Sequence, residues 1–111
     1  MISYALAAAF LLAAAPSDSF GSSRQAYSTC LQQQLDSNLK KKASVADFDS
    51  AITNSCARQE AAFRAAVIAQ QMSMKASRKD AEQAAADWVS DFRANAAENY
   101  EDMAAAGAPA T

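Results

Sequence analysis

The spacing of the two cysteines restricts the chemistry that they could perform. Cys30 and Cys56 are the only cysteines among 111 residues, and 25 residues separate them. A zinc site needs three or four ligands at close spacing, and the chain has no histidine to complete one. A thiol–disulfide catalyst usually carries Cys-x-x-Cys, which this spacing excludes. A structural disulfide is therefore predicted between Cys30 and Cys56, and neither a metal nor a cofactor is expected.

The remaining polar residues offer little catalytic chemistry. Without histidine, Ser-His-Asp and Cys-His arrangements are excluded, and the sequence contains no glycine-rich phosphate loop. Asp47 and Asp49 point in different directions from one predicted helix. Glu98, Glu101 and Asp102 lie within about one helical turn and could hold a cation weakly, but such clusters are more often a solvated face. No catalytic residue is predicted, and an enzyme is not expected.

Charge is divided unevenly along the chain. Residues 24–79 carry nine basic and four acidic side chains, whereas residues 80–111 carry one basic and seven acidic ones. The formal net charge is −2, and this acidic balance argues against nucleic acid, whose phosphates require a basic face. Two arrangements remain open. The acidic segment packs beside the basic middle of the same molecule, or it offers an acidic surface to a basic partner.

The N-terminal segment is typical of a secretory signal peptide. Residues 4–15 form an apolar run that is too short to span a bilayer, which needs roughly 18 residues or more. We predict a signal peptide over residues 1–17, with cleavage before Asp18, or one extending to residue 21. No basic residue precedes the run, so the alternative is an apolar first helix kept in the fold or lying on a membrane. Cleavage would place the protein in the periplasm or outside the cell.

An all-α fold is predicted from the composition and from repeated helix-start patterns. Alanine dominates the sequence, and glycine and proline number two each, which favours helices. Serine capping boxes occur at Ser22, Ser44 and Ser77. The predicted helices span about 22–41, 45–75 and 78–104, followed by a disordered tail over 105–111 with Gly107 as the helix terminator.

The predicted architecture is an antiparallel helical hairpin, stapled by the disulfide and extended to a three-helix bundle over residues 22–104. The turn near Ala43 lies 13 residues from each cysteine, so both sulfurs stand at the same height in the hairpin. Neither glycine nor proline marks the second boundary. The alternative is therefore a first helix packed on one long helix, 45–104, in an oligomer. Trp88 is assigned to the core.

Several side chains are candidates for an interaction surface. Met72 and Met74 lie beyond the reach of the first helix, and Gln59 and Gln70 fall inside an apolar stripe. These four residues form the possible interaction surface. Four more amides fall in apolar stripes and either pair across the bundle or lie at its edges: Gln34, Asn38, Asn95 and Asn99.

In composition and length the chain resembles the short, alanine-rich exported helical proteins of Gram-negative bacteria. This resemblance rests on no specific motif and transfers no functional residue. The expected function is a small exported protein-interaction module: an adaptor, inhibitor or accessory subunit that binds another protein or self-associates. One alternative is a peripheral envelope protein that contacts anionic membrane through basic residues: Lys40, Lys41, Lys42, Arg58 and Arg64. Another is a carrier of a small apolar ligand.

Overall fold

The structure is a computed structural model that describes residues 19–107. Within that range 89% of the residues are helical and no strand occurs. The predicted signal peptide over residues 1–17 and the last residues of the predicted tail, 108–111, lie outside the described residues. The described helices are α1 (Ser19–Lys41), α2 (Val45–Ser55), α3 (Ala57–Ser73) and α4 (Arg78–Ala105).

The helices form the predicted three-helix bundle, because α2 and α3 together make one arm. Along α1 and α4, Phe20 pairs with Trp88 and Tyr27 pairs with Phe92, at ring-centroid distances of 5.6 and 5.5 Å. Residue numbers therefore increase together, and α1 runs parallel to α4. The α2–α3 arm runs antiparallel to both, because residue numbers change in opposite directions. Cys56 is bonded to Cys30 whereas Phe63 contacts Phe20, and Phe48 stacks on Tyr100 whereas Phe63 contacts Phe92.

Aromatic rings fill the centre of the bundle. Phe63 is fully buried and contacts rings from α1 and α4, with centroids 5.7 Å from Tyr27 and 5.0 Å from Phe92. At the other end, Phe48 of α2 stacks on Tyr100 of α4 at 4.3 Å. Burying a side chain of this size stabilises the folded state by about 1.5–3 kcal/mol. These rings therefore account for much of the packing energy that holds the helices together.

Both turns of the bundle are built from the same sequence, Lys-Ala-Ser-x-x-Asp, at residues 42–47 and 75–80. Lys42 and Lys75 adopt positive φ values of 56° and 77°. Each lysine N–H and the following alanine N–H donate back to carbonyl groups of the preceding helix. This is the Schellman pattern, in which glycine is the usual left-handed residue. At both places the same six-residue pattern therefore ends one helix, forms the turn and starts the next helix.

Serine caps start the helix after each turn, as the sequence predicts. Ser44 Oγ accepts a hydrogen bond from the Asp47 N–H at 3.1 Å, and Ser77 Oγ accepts one from the Asp80 N–H at 3.1 Å. The break at Ser77 is confirmed, and the alternative of one helix over 45–104 is wrong. The predicted start at Ser22 is also wrong, because α1 already includes Ser19.

The long second helix predicted over 45–75 is divided at Cys56. This residue has φ −105° and ψ 15°, outside helical values, and separates α2 from α3. Its N–H still donates to the Ile52 carbonyl at 3.1 Å, and its carbonyl accepts from the Glu60 N–H at 2.9 Å. The two segments therefore continue in one direction as a single bent arm.

The C-terminal end follows the prediction in part. Gly107 has φ +70° and its N–H donates to the Ala104 carbonyl at 3.1 Å, which confirms glycine as the helix terminator. The predicted tail began at residue 105, but Ala105 is still the last residue of α4.

Candidate functional site

The disulfide between Cys30 and Cys56 is present and joins α1 to the bend between α2 and α3. The two Cα atoms are 5.9 Å apart. Cys56 is fully buried and Cys30 is 7% exposed, so the disulfide is largely shielded from solvent. The described residues contain no free cysteine. This pair is therefore a structural crosslink of the helical hairpin.

Tyr100 of α4 packs against the first turn, at the end of the bundle away from Phe20 and Trp88. Its hydroxyl lies 3.0 Å from the Asn38 carbonyl and 2.6 Å from the Ala43 carbonyl, so it can donate to either of them. Both carbonyls belong to the first turn, where α1 ends. Burial raises the pKa of Tyr100 above its ordinary value, and the nearby Asp47 carboxylate raises it further. The neutral hydroxyl is thus kept as a donor.

A half-buried polar cluster joins α3 to α4 beside Tyr27, and we call it the Glu60 cluster. The Glu60 carboxylate, 15% exposed, accepts hydrogen bonds from Arg93 at 2.7 Å and from Arg64 at 3.1 Å. Burial alone would disfavour the Arg93 cation, but the hydrogen bond and charge of Glu60 outweigh it and raise the pKa of Arg93. The ion pair between Arg93 and Glu60 therefore joins α4 to α3, although the two residues are 33 positions apart in the sequence.

Three buried polar atoms lack a hydrogen-bond partner among the described residues: Tyr27 Oη and Arg93 Nε beside Glu60, and Gln59 Oε1. Burial raises the pKa of Tyr27, and the Glu60 carboxylate raises it further, although nearby Arg93 opposes both effects. The Tyr27 hydroxyl lies close enough to the Arg93 guanidinium for hydrogen bonding and charge to lower the pKa of Tyr27, but the two groups do not meet the distance and angle of a formed hydrogen bond. An unpaired buried group of this kind typically costs about 1–3 kcal/mol.

The four residues predicted as an interaction surface do not form one patch. Met72 and Met74 are 41% and 60% exposed, and Gln70 is exposed nearby. Gln59 is half-buried, with its Oε1 enclosed, and at about 1.5 Å per residue it lies about 16 Å along α3 from Gln70.

The basic residues predicted for membrane contact are also divided. Lys40, Lys41 and Lys42 are exposed at the end of α1, at the same end of the bundle as the acidic end of α4 that Tyr100 anchors. Arg64 is paired with Glu60 on α3. The acidic C-terminal segment packs beside the basic middle of the chain, because α4 contacts α1, α2 and α3. Membrane contact stays a prediction.

No helix among the described residues is long and apolar enough to cross a membrane. Likewise, within residues 19–107, no three His, Cys, Asp or Glu side chains come together in a group that could hold a metal ion.

Two surface grooves flank α1. The alanine groove, between α1 and α3, has a volume of about 620 Å³ and an apolar wall formed by Phe20, Ala62, Ala65, Ala66 and Ala69. The amide groove, between α1 and α4, has two sections of about 210 and 400 Å³ that share Ser28, Gln32 and Phe92. Sequence periodicity predicted which face of each helix is buried. It did not predict these grooves, which depend on how neighbouring helices pack.

Trp88 corrects another prediction. It was assigned to the core, but 38% of its surface is exposed. Only part of the indole packs inward, edge-on to Phe20 at 5.6 Å and tilted against Phe63 at 6.0 Å.

The amides have mixed roles. Asn38 is buried, and its side chain donates to the Gln34 carbonyl of the same helix at 2.7 Å, so it does not pair across the bundle. Asn95 and Asn99 are exposed and line the amide groove.

Over residues 19–107, the fold and these surfaces define a disulfide-stapled three-helix bundle with a groove on each side of α1. Comparison with known proteins gives no match to a protein-family model, to a curated protein or to a solved structure. A functional assignment therefore depends on the residues of this chain.

Proposed function

We propose that this protein is an exported protein-interaction module, an adaptor, inhibitor or accessory subunit, that acts through its helical surface. The observation that carries the proposal is that, among the described residues, α1 has a solvent-facing groove on each side. On α3, Met72 is exposed three residues beyond Ala69 and adds apolar surface outside the groove lining. Exposed apolar surface of this kind is typical of sites that bind another protein.

Export is the second part of the proposal. A buried disulfide fits an oxidising compartment, where small domains often depend on such crosslinks. Cleavage before Asp18 is favoured over cleavage before Ser22, because the latter would remove Phe20. That side chain packs against both Phe63 and Trp88, so its loss would uncover the aromatic core at the start of α1.

The compartment is tested by the intact mass of the protein recovered from its own host, before and after reduction and alkylation. The expected mass begins at Asp18, and two alkyl groups are added only after reduction under denaturing conditions. A chain that keeps its N-terminal segment and has two thiols reactive without reduction would contradict export and the oxidised state together.

The interaction is tested by native mass spectrometry of the full-length gene product, tagged at its C-terminus and purified from the host envelope. A complex of defined composition, either with one partner or with further copies of the chain, is expected. Recovery of the monomer alone, under gentle extraction and after crosslinking in the intact cell, would argue against an interaction module.

A further inference from the structure

The amide groove is a gap of a defined shape. Its two walls, α1 and α4, run parallel and pack on each other less closely than α3 packs on α4. In an up-and-down four-helix bundle, a gap between two parallel helices is filled by a helix that is antiparallel to both. The amide groove extends from Gly21 to Leu35 along α1, about 21 Å at 1.5 Å per residue. A helix of about 14 residues would fill that length.

The lining of the amide groove determines what kind of helix it can accept. Its floor is apolar, formed by Leu31 and Leu35 of α1 with Phe92 of α4. Its rims are polar, with Gln32 on one side and Asn95 on the other, and Arg24 places one positive charge on the α1 rim. An apolar stripe would be buried against the floor, and the amides on the rims can donate or accept hydrogen bonds.

Charge distinguishes the α4 side of the groove from the α1 side. Acidic residues recur along α4 at intervals of seven and four, which places them on one face: Asp80, Asp87, Asp91, Glu98 and Asp102. All five are exposed. Among the described residues none of these carboxylates forms an ion pair. Asp91 and Glu98 lie four residues before and three residues after Asn95, so this acidic stripe borders the groove.

We propose that the amide groove binds an amphipathic helix of a partner protein, with basic residues on the flank that faces α4. This inference rests on the proposed function and specifies the surface and the partner chemistry. Lysine or arginine side chains along one flank of the bound helix would lie beside the acidic stripe. Such pairs, at the exposed edge of an interface, favour fast association and orientation, and salt weakens them.

The test is a selection from a phage-displayed library of 16-residue helical peptides against the immobilised, oxidised full domain. Ser28 lines both sections of the groove and is exposed, so Ser28→Trp fills the gap without entering the core. Ser90 is exposed on α4 and is not part of the groove lining, so Ser90→Trp is the matched control. Peptide affinity is then measured by fluorescence anisotropy against each variant.

Enriched peptides are expected to carry apolar residues at i, i+3 or i+4, and i+7, with lysine or arginine on one flank. Their affinity should fall at least tenfold for Ser28→Trp and remain unchanged for Ser90→Trp. If no peptide is enriched, or if the enriched peptides bind Ser28→Trp as well as the unmodified domain, the amide groove is not a helix site.

A charge-reversed variant tests the basic flank independently and does not depend on how Ser28→Trp folds. Asp91→Lys combined with Glu98→Lys changes only exposed side chains. At low salt the affinity of the selected peptides for this variant should be at least tenfold lower. The variant should instead bind more tightly to peptide versions in which glutamate replaces the basic residues of the flank. Equal binding of both peptide versions would overturn the charge assignment.

Analysis of the native complex distinguishes a failure of this inference from a failure of the proposed function. If the complex recovered from the envelope persists with Ser28→Trp, the groove assignment is wrong and the interaction module stands. If no native complex exists, the proposed function fails even where selected peptides bind the groove.

Discussion

Two equally buried tyrosines provide a sharp test of the packing described above. Tyr27 and Tyr100 are each 1% exposed, and each lies in an aromatic stack. They differ in one respect. The Tyr100 hydroxyl has two carbonyl acceptors within reach, whereas the Tyr27 hydroxyl has no hydrogen-bond partner among the described residues. Replacement of each by phenylalanine removes the same oxygen atom and should have opposite effects on stability.

The expected magnitudes follow from the hydrogen bonds lost. Tyr100→Phe removes the donor shared by the Asn38 and Ala43 carbonyls and should lower the free energy of unfolding by about 1–2 kcal/mol. For a domain of this size each kcal/mol changes Tm by about 4–8 °C. Tyr27→Phe removes a buried hydroxyl without a partner, so it should be neutral or stabilising by up to about 1 kcal/mol.

Urea unfolding of the oxidised protein, followed by circular dichroism at 222 nm, measures both differences. The slope with urea should be unchanged in each variant, because the surface exposed on unfolding is the same. Equal destabilisation by the two substitutions would refute the argument. It would show that the Tyr27 hydroxyl has a partner, or that the Tyr100 hydrogen bonds contribute nothing.

The same two residues predict a loss of stability at alkaline pH. The pKa of both tyrosines is raised above 10.0 in the folded protein, so the unfolded chain loses these protons first as pH increases. Their contribution is fully present below about pH 10 and is lost as pH rises through the folded-state pKa values. Urea midpoints at pH 8, 10 and 11 should fall more steeply for the unmodified protein than for the Tyr27→Phe, Tyr100→Phe double variant. Parallel curves would contradict the assignment.

Two further predictions concern the crosslink and the turns. Replacing Cys30 and Cys56 together by alanine should lower the free energy of unfolding by about 3.5 kcal/mol on the chain-entropy relation, as measured by urea unfolding; a difference below about 1 kcal/mol would mean that the crosslink adds little. Lys42→Gly and Lys75→Gly should each raise Tm, because glycine adopts positive φ without strain and the gain is about 0.5–1 kcal/mol. Lys41→Gly, at the end of α1, is the control and should lower Tm.

The sequence predicted those parts of the fold that depend on local chemistry. The caps at Ser44 and Ser77 need only a hydroxyl and an N–H three residues away, so they could be recognised without tertiary information. The pairing of Cys30 with Cys56 followed from their equal distance from the first turn. In contrast, the start of α1 depends on Phe20 packing against α3 and α4, and the bend at Cys56 coincides with the crosslink to α1. Both depend on contacts between distant segments.

The candidate surfaces were less predictable for the same reason. Periodicity placed Gln59 and Gln70 on one stripe, but in the fold Gln59 is partly buried and Gln70 is exposed. The ion pair that organises the Glu60 cluster joins Glu60 to Arg93, 33 positions later. The grooves beside α1 likewise depend on which helices are neighbours and on their direction. A pattern within one helix carries no information about either.

The positions of the disulfide and of Tyr100 set the order in which the bundle can close during synthesis or translocation. A chain that emerges N-terminus first has presented both sulfur atoms once residue 56 is free, a separation of 26 positions. The hydrogen bonds of Tyr100 to the first turn span 57 and 62 positions and form only when α4 is nearly complete. Until then Phe48 lacks its stacking partner and the hairpin is covalently closed with its aromatic face uncovered. That interval is the stage at which the growing chain is most open to aggregation or to capture by a chaperone.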